Sequence, residues 1–242
     1  SQTIDALDKN NLADVVIHAE GGLFKQQEWQ EIYRDYEQSA IVGWIKTDRA
    51  HQHLAWERFT EEGPLALLPS HKGQEYLNLV WCGNPKATED RLALNQQEFL
   101  SQLQKAFGSR AGKLIDAGEL RSYDLGLNAR KEIVSGHEVW IGNAAQTMHP
   151  VAGQGLNLGL RDAHTLAESL TTHQTVQEAL HQYQALRKTD RNTTIATTDF
   201  LARIFTSKLK PVICARGIAL ASLQLLIPVK QGLTRQMMFG QR

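Results

Sequence analysis

Three glycines carry the chemistry that this sequence suggests first. Gly153, Gly155 and Gly159 punctuate the stretch Gly153-Gln154-Gly155-Leu156-Asn157-Leu158-Gly159, which follows Met148-His149-Pro150 and opens a run with helical apolar spacing. Glycine leaves the main chain bare where a Cβ would hold a ligand off. The first turn of a helix has N–H groups without intrahelical partners, and the macrodipole adds roughly half a positive charge there. A flat electron-rich group or an anion is therefore expected over Gly153 to Asn157. The same glycines also fit a turn and a helix cap with no ligand, since a lone glycine motif discriminates weakly. His149 is an acid or base by type, and equally a loop histidine that fixes the turn.

The elements that must position these residues lie on either side. Val139, Trp140 and Ile141 form a short β-prone run ending at Gly142, and Asn143-Ala144-Ala145 makes a tight loop of small residues. Beyond the glycines, Leu156, Leu160, Ala163, Ala167 and Leu170 recur at helical spacing and are expected to form one apolar face. This is not an ordinary dinucleotide fingerprint. The loop between strand and glycines is too long, and no second strand ending in Asp or Glu follows about twenty residues on.

The run GNAAQTMHPVAGQGLNLGLRD, Gly142 to Asp162, resembles the second flavin-binding motif of the single-component aromatic monooxygenases built like p-hydroxybenzoate hydroxylase. Within that group it is most similar to the FAD-dependent ubiquinone-biosynthesis hydroxylases. Most members read Asp and His where this chain has Asn143 and Gln146, a pair that resembles the branch acting on 2-polyprenyl-6-methoxyphenol. The resemblance extends more loosely from Asp14 to the C-terminus. It implies an α/β (α+β) fold of the p-hydroxybenzoate hydroxylase type, with an antiparallel substrate-domain sheet, the C-terminal part of an FAD-binding domain, and C-terminal helices. It also implies FAD as cofactor, NAD(P)H as reductant, and O₂ and a polyprenyl phenol as substrates.

Site residues follow from the same resemblance. Gly142, Asn143, Pro150, Gly153, Gln154, Gly155, Leu156 and Asn157 match cofactor-binding positions. The N–H groups of Gly155 and Leu156 would face the N1 and O2 edge of the flavin, with Asn157 on the pyrimidine edge. Pro150 would stiffen the loop, and Gly142 and Asn143 would meet the ribityl and ribose region. Glu20 and Gly21 stand where the family reads Ala-Asp-Gly, near the pyrophosphate. No catalytic residue is assigned, because the cofactor carries the hard chemistry. No metal is implied.

Composition sets the outer bounds. The chain has 242 residues, with 26 Lys plus Arg against 26 Asp plus Glu, so nothing points to nucleic acid. Cys82 and Cys214 make no disulfide framework, which fits a reducing compartment. Ser1 to Asn11 is polar, and no run of eighteen apolar residues occurs.

In chain order, Val15 to Ile17 reads as a short strand. Ala40, Val42 and Trp44 alternate with Ile41, Gly43 and Ile45. Leu65 to Pro69 follows the turn Glu62-Gly63-Pro64, and Tyr76 to Cys82 puts Leu77, Leu79 and Trp81 on one side. Closely spaced strands of this kind predict an antiparallel sheet. Trp44, Trp56 and Trp81 are candidates for a substrate wall, or core aromatics. His51 and His53 read as surface histidines on one strand face, too few for a metal site.

Ala87 to Phe107 reads as one helix capped at Thr88, covering the sheet through Leu92, Phe99, Leu103 and Ala106. Glu119 to Leu127 returns as a strand, in which Asp124 replaces a family proline and leaves the local turn open. After Asp162 the chain is helical, with stripes at Val176, Leu180, Tyr183, Leu186 and at Phe200, Leu201, Ile204, Phe205. The polar stretch LRKTDRNTT, Leu186 to Thr194, is expected to be solvated. Pro211 breaks the pattern, and Ile213 to Ile227 reads as a core helix, with membrane-surface contact left open by a lipid substrate.

The expected organisation is 1–36 as the end of the FAD-binding part and 37–128 as the substrate sheet with its covering helix. Residues 129–172 form the flavin-contacting segment, and 173–242 a C-terminal helical region. No strand runs into GxGxxG near the start, and the sequence begins without Met. The chain is therefore expected to be the C-terminal two-thirds of such an enzyme, inactive by itself and binding FAD weakly or not at all alone. Its expected setting is the cytoplasm, peripheral to the inner membrane, beside a ubiquinone-biosynthesis protein complex. Two other classes stay open: a non-catalytic assembly fragment of that complex, and a pyridine-nucleotide dehydrogenase domain.

Overall fold

The structure, a computed structural model, describes residues 14–22, 24, 28, 30–206, 212, 231 and 232. The expected break at Pro211 and helix from Ile213 to Ile227 lie outside the described residues. The chain divides into two compact units. One holds the described residues up to Tyr33, Leu127–Thr198, and Gln231 and Gly232; the other holds Arg34–Gly126 and the described residues from Asp199 to Val212.

The second unit is built on strands β2 (Ile32–Thr47), β3 (Trp56–Phe59), β4 (Pro64–Pro69), β5 (Tyr76–Gly83) and β6 (Leu114–Ala129), in the order β3-β4-β5-β2-β6. The β3–β4, β4–β5 and β5–β2 pairs are antiparallel, as the turn signals predict. Alternation sends Ile41, Ile45, Leu65, Leu67, Leu77, Leu79 and Trp81 to one face, all buried. Helix α2 (Gln96–Phe107) covers that face with Phe99, Leu103 and Phe107, one residue per turn.

The opposite face carries Val42, Trp44, Ala66 and Val80, half-buried, and exposed Leu68. Register thus separates the three candidate tryptophans. Trp81 meets Phe99 edge-on in the core and Trp56 packs against that core, while Trp44 lies on the other face, edge-on to Tyr76. Gly118 of β6 lets Trp44 lie flat, since a Cβ there would sit 2.4 Å from the indole ring.

Several expectations change in this unit. The single helix expected from Ala87 to Phe107 is two, α1 (Pro85–Leu92) and α2. Asn84 and Asn95 cap them, accepting from the N–H of Ala87 at 2.8 Å and of Glu98 at 3.0 Å. Asparagine at position 95 stops the first helix by offering its side chain to the start of the next. Thr88, the expected cap, is a buried residue inside α1. His51 and His53 share a turn rather than a strand face, and His51 is buried, its Nδ1 accepting from the His53 N–H at 3.0 Å. Asp124 sits within β6, and Ser39 donates to its carboxylate at 2.9 Å, so no turn forms there. The Cys82 thiol is buried, and burial pushes its pKa up to about 12.

The first unit has a small sheet of β1 (Val16–His18), β8 (Glu138–Trp140) and β7 (Val134–Ser135), in which β1 runs parallel to β8. Strand β9 (Gln146–Thr147) pairs with Asn128 and Ala129 at the end of β6. Helices α3 (Gly155–Thr172) and α4 (Val176–Thr206) complete it. Val139, Ala145, Leu166, Leu180 and Tyr183 form its core. Trp140 is gripped on the sheet, with the His18 ring stacked at 4.6 Å and the Arg130 guanidinium at 4.1 Å.

Helix α3 is rotated from what apolar spacing suggested, whereas on α4 the expected stripe holds at Leu180 and Tyr183, both buried, with Val176 packed against them. On α3 the buried stripe is Leu158, Asp162, Leu166 and Ser169, while Leu156 and Leu160 are 74% and 60% exposed and Ala163 and Ala167 face out. On α4, Leu186 and Phe200 are exposed. The stretch expected to be solvated is partly interior: Arg187, Asp190 and Arg191 are all buried. The physical reason is that each has a partner waiting inside, which removes most of the penalty for burying charge.

Truncating Phe99 to Ala should cost about 3–5 kcal/mol, because it empties the centre of the α2–sheet contact. Urea unfolding is the measurement, and a loss under 1 kcal/mol would place the core elsewhere.

Candidate functional site

Helix α3 organises the site from its N-terminal end. Gln154, the residue before it, makes no capping bond with its side chain, and the first turn holds no carboxylate. The N–H groups of Gly155, Leu156 and Asn157 therefore point out of an uncapped helix start, with the dipole behind them. The approach is made by a single 3-10 turn, Pro150–Ala152, closed by Gly153 in the left-handed conformation (φ 59°). A Cβ built on Gly153 or Gly155 would meet nothing within 4 Å among the described residues. The left-handed turn calls for glycine at 153 on conformational grounds, while Gly155 has helical backbone and leaves its side of the helix start open.

His149 fixes the approach turn. It is 2% exposed, and its Nδ1 accepts from the Val151 N–H at 3.0 Å, making it the cap of the 3-10 turn. Burial pulls its pKa down to about 4. It is a neutral structural acceptor, and the acid–base role drops away.

The other expected residues gather one helical turn further along. Gly142–Ala144 forms a second 3-10 turn, entered with Gly142 at φ 58°. This turn presses against α3 glycine to glycine: a Cβ on Gly159 would stand 3.3 Å from the Gly142 Cα. The last glycine of the motif therefore serves close packing. Asn143 is exposed and donates from Nδ2 to the Gly22 carbonyl at 3.3 Å. Gly21 and Gly22 both take positive φ there, at 79° and 131°, and Glu20 is exposed beside them. Gly142, Asn143, Glu20 and Gly21 thus form one group, and Pro150, Gly153, Gln154, Gly155, Leu156 and Asn157 a second. From Gly155 to Gly159 is four residues, about 6 Å of helix. The pair of groups suits an elongated ligand.

A set of residues missed in the sequence holds the second turn in place. Asp162, fully buried, accepts from the Gly142 N–H at 3.1 Å, from Gln146 Nε2 at 2.8 Å and from Arg187 Nε at 2.8 Å. Gln146 in turn accepts from Arg191 Nε at 2.5 Å, and Arg191 also donates to the Ala145 carbonyl at 3.2 Å. Arg187 reaches Asp190 as well. Burial opposes the charge on Arg187, and the carboxylates of Asp162 and Asp190 more than offset it, so its pKa is raised. The available signal was positional. Asp162 sits four residues from Leu158 and from Leu166, and Arg187 and Arg191 continue the buried stripe begun by Tyr183.

The family model described as FAD binding domain matches residues 26–197, more than half of the chain. The ubiquinone hydroxylase UbiL of Rhodospirillum rubrum is 35% identical over 209 residues, which are 84% of this chain and 48% of that protein. The mitochondrial ubiquinone biosynthesis monooxygenase COQ6 of Xenopus tropicalis is 26% identical, over 84% of this chain and 52% of its own length. The chain spans about half the length of the curated relatives it matches. Among solved structures, HpxO of Klebsiella pneumoniae, complexed with FAD and uric acid, superposes with a TM-score of 0.63 at 16% identity, covering 84% of this chain and 54% of that one. Such a likeness shows the p-hydroxybenzoate hydroxylase-like α/β fold, with its mixed helices and antiparallel sheet.

The depressed pKa of His149 predicts a pH dependence. The unfolded imidazole protonates near 6.5 and the folded one only near 4. The stability it contributes is complete above about 6.5 and is lost as pH falls through that value towards 4. Between pH 7 and 4.5 the wild type should lose roughly 2 kcal/mol more than His149→Gln, whose side chain cannot titrate. Parallel urea-unfolding curves for the two proteins would refute the burial.

Proposed function

We propose that this chain, which belongs to the FAD-binding domain family, is the flavin-contacting and substrate-sheet portion of an FAD-dependent monooxygenase. The reaction is hydroxylation of a polyprenylated methoxyphenol in ubiquinone biosynthesis, with NAD(P)H as reductant and O₂ as oxidant. One observation carries the proposal: the uncapped start of α3, with Gly153 and Gly155 open to space, falls within the run that resembles the flavin motif. The names of the ubiquinone hydroxylase relatives support the substrate class.

Bound FAD supplies the oxygen activation, and this chain's residues position and polarise it. The N–H groups of Gly155 and Leu156 stabilise negative charge at the N1 and O2 edge, as donors aimed in advance at a developing anion do. Gly153 and Gly155 admit the ring to the backbone. Asn157, half-buried in the first turn, takes the pyrimidine edge, and Gln154 and Pro150 bound the approach. Gly142 and Asn143 take the ribityl and ribose region, with Glu20 and Gly21 towards the pyrophosphate. Asn143 keeps an acceptor oxygen without the charge of an aspartate. In the second unit, the face that carries Val42, Trp44 and Val80 takes the aromatic substrate, since α2 leaves it open.

The lipid character of that substrate extends the proposal to a cytoplasmic protein peripheral to the inner membrane, working beside other ubiquinone-biosynthesis proteins. No helix among the described residues is long and apolar enough to cross a membrane.

The test is the visible spectrum after addition of FAD and desalting, on this chain and on the polypeptide extended upstream to its relatives' length. The extended protein should retain flavin bands near about 370 and 450 nm, which the cofactor's own chemistry sets. The chain alone should retain little. Gly155→Val should cut flavin content at least about 10-fold, because a branched side chain fills the approach to the backbone. Unchanged flavin content in that variant would sink the assignment.

A further inference from the structure

Both ends of the Gly142–Ala145 turn are pinned by buried charged groups that belong to neither the turn nor the glycine motif. Its first N–H is held by Asp162, and its last carbonyl, that of Ala145, by Arg191. Between these anchors the turn closes on itself through the Ala145 N–H and the Gly142 carbonyl at 3.0 Å. Gln146 joins the two anchors, donating to Asp162 and accepting from Arg191. Arg187, one helical turn before Arg191 on α4, completes the charge balance at Asp162. Relative exposures of 0% for Asp162, 3% for Gln146, 4% for Arg187 and 2% for Arg191 put the whole ring in the interior.

Such a ring is a poor way to gain stability alone, since well-packed apolar groups of similar volume often stabilise as much or more than buried ion pairs. It is an effective way to fix a geometry, because Asp162, Gln146 and Arg191 bond to one another and to both ends of the turn in fixed directions. The geometry fixed is that of Asn143, the exposed residue between the two pinned ends.

We propose that Arg187 and Arg191 of α4 are positioning residues for the cofactor, acting through Asp162 and Gln146 to hold the Gly142–Ala145 turn where it meets the ribityl side of the flavin. This rests on the flavin reading given above. Neither arginine touches the ligand. Their effect is to keep Asn143 within reach, as displacement of a positioning group by about 1 Å costs binding and rate far from the chemistry.

The test uses Arg191→Lys, which keeps the charge and loses the planar fork, and Arg191→Gln. Hydrogen exchange on this chain without cofactor is the first readout. Both variants should exchange faster, by about 10-fold or more, at Gly142 to Gln146, with Leu77 to Trp81 and Phe99 to Phe107 unchanged. FAD affinity of the extended polypeptide, read by fluorescence quenching, is the second. Arg191→Lys should weaken it at least about 10-fold. Unchanged exchange in the turn would overturn the proposal, as would faster exchange with wild-type FAD affinity, and in the latter case the flavin reading stands. Uniformly faster exchange throughout both variants, marking a general loss of folding, also overturns it. A wild-type extended protein that takes up no FAD overturns both.

Discussion

The structure of the first unit depends on one buried carboxylate. Asp162 accepts hydrogen bonds from a main-chain N–H, a side-chain amide and a guanidinium, and it is fully buried. Removing an ionised carboxylate from solvent is costly unless such partners surround it. Once they do, the partners are committed as well: Gly142 must start a turn, Gln146 must point inward, and α4 must bring Arg187 to that depth. A single ion thus ties together a loop and two helices that are remote in sequence.

The glycines divide their work around this point. Gly142 and Gly159 are bare so that backbone can meet backbone, which lets Asp162 reach the turn. Gly153 and Gly155 are bare against open space. Packing accounts for the first pair; in the second, the left-handed turn calls for glycine at 153, and Gly155 leaves the backbone of the helix start open. The neighbouring His149 shows the same economy of roles, because it is spent on capping the approach turn and is held neutral by burial. What remains at the helix start is main-chain N–H, suited to an electron-rich ring whose chemistry is its own.

In the second unit the governing constraint is the twofold alternation of the strands. It commits Leu77, Leu79 and Trp81 to α2 and leaves Trp44 and Val80 on the other side. The alternation is strict enough that identical residue types, Trp44 and Trp81, end in different environments. Glycine again permits the close approach, this time Gly118 beneath the Trp44 ring.

The sequence by itself determined the antiparallel sheet, its register faces, the helix that covers it, and the strand–loop–helix that presents Gly153 and Gly155. Those features are local, since strand alternation, turn residues and helix periodicity act over a few neighbours. The resemblance of Gly142 to Asp162 to a flavin motif was legible for the same reason. Only tertiary structure decided which face of α3 is buried. Apolar spacing pointed to Leu156 and Leu160, yet the interior takes Leu158, Asp162 and Leu166, because the charge of Asp162 finds its partners there. The stretch from Leu186 to Thr194 looked solvated for a related reason: a charged residue declares its need for a partner, and the sequence does not say where that partner waits. Arg187 and Arg191 find theirs 25 and 45 residues away, at Asp162 and Gln146, a distance that only the folded chain closes.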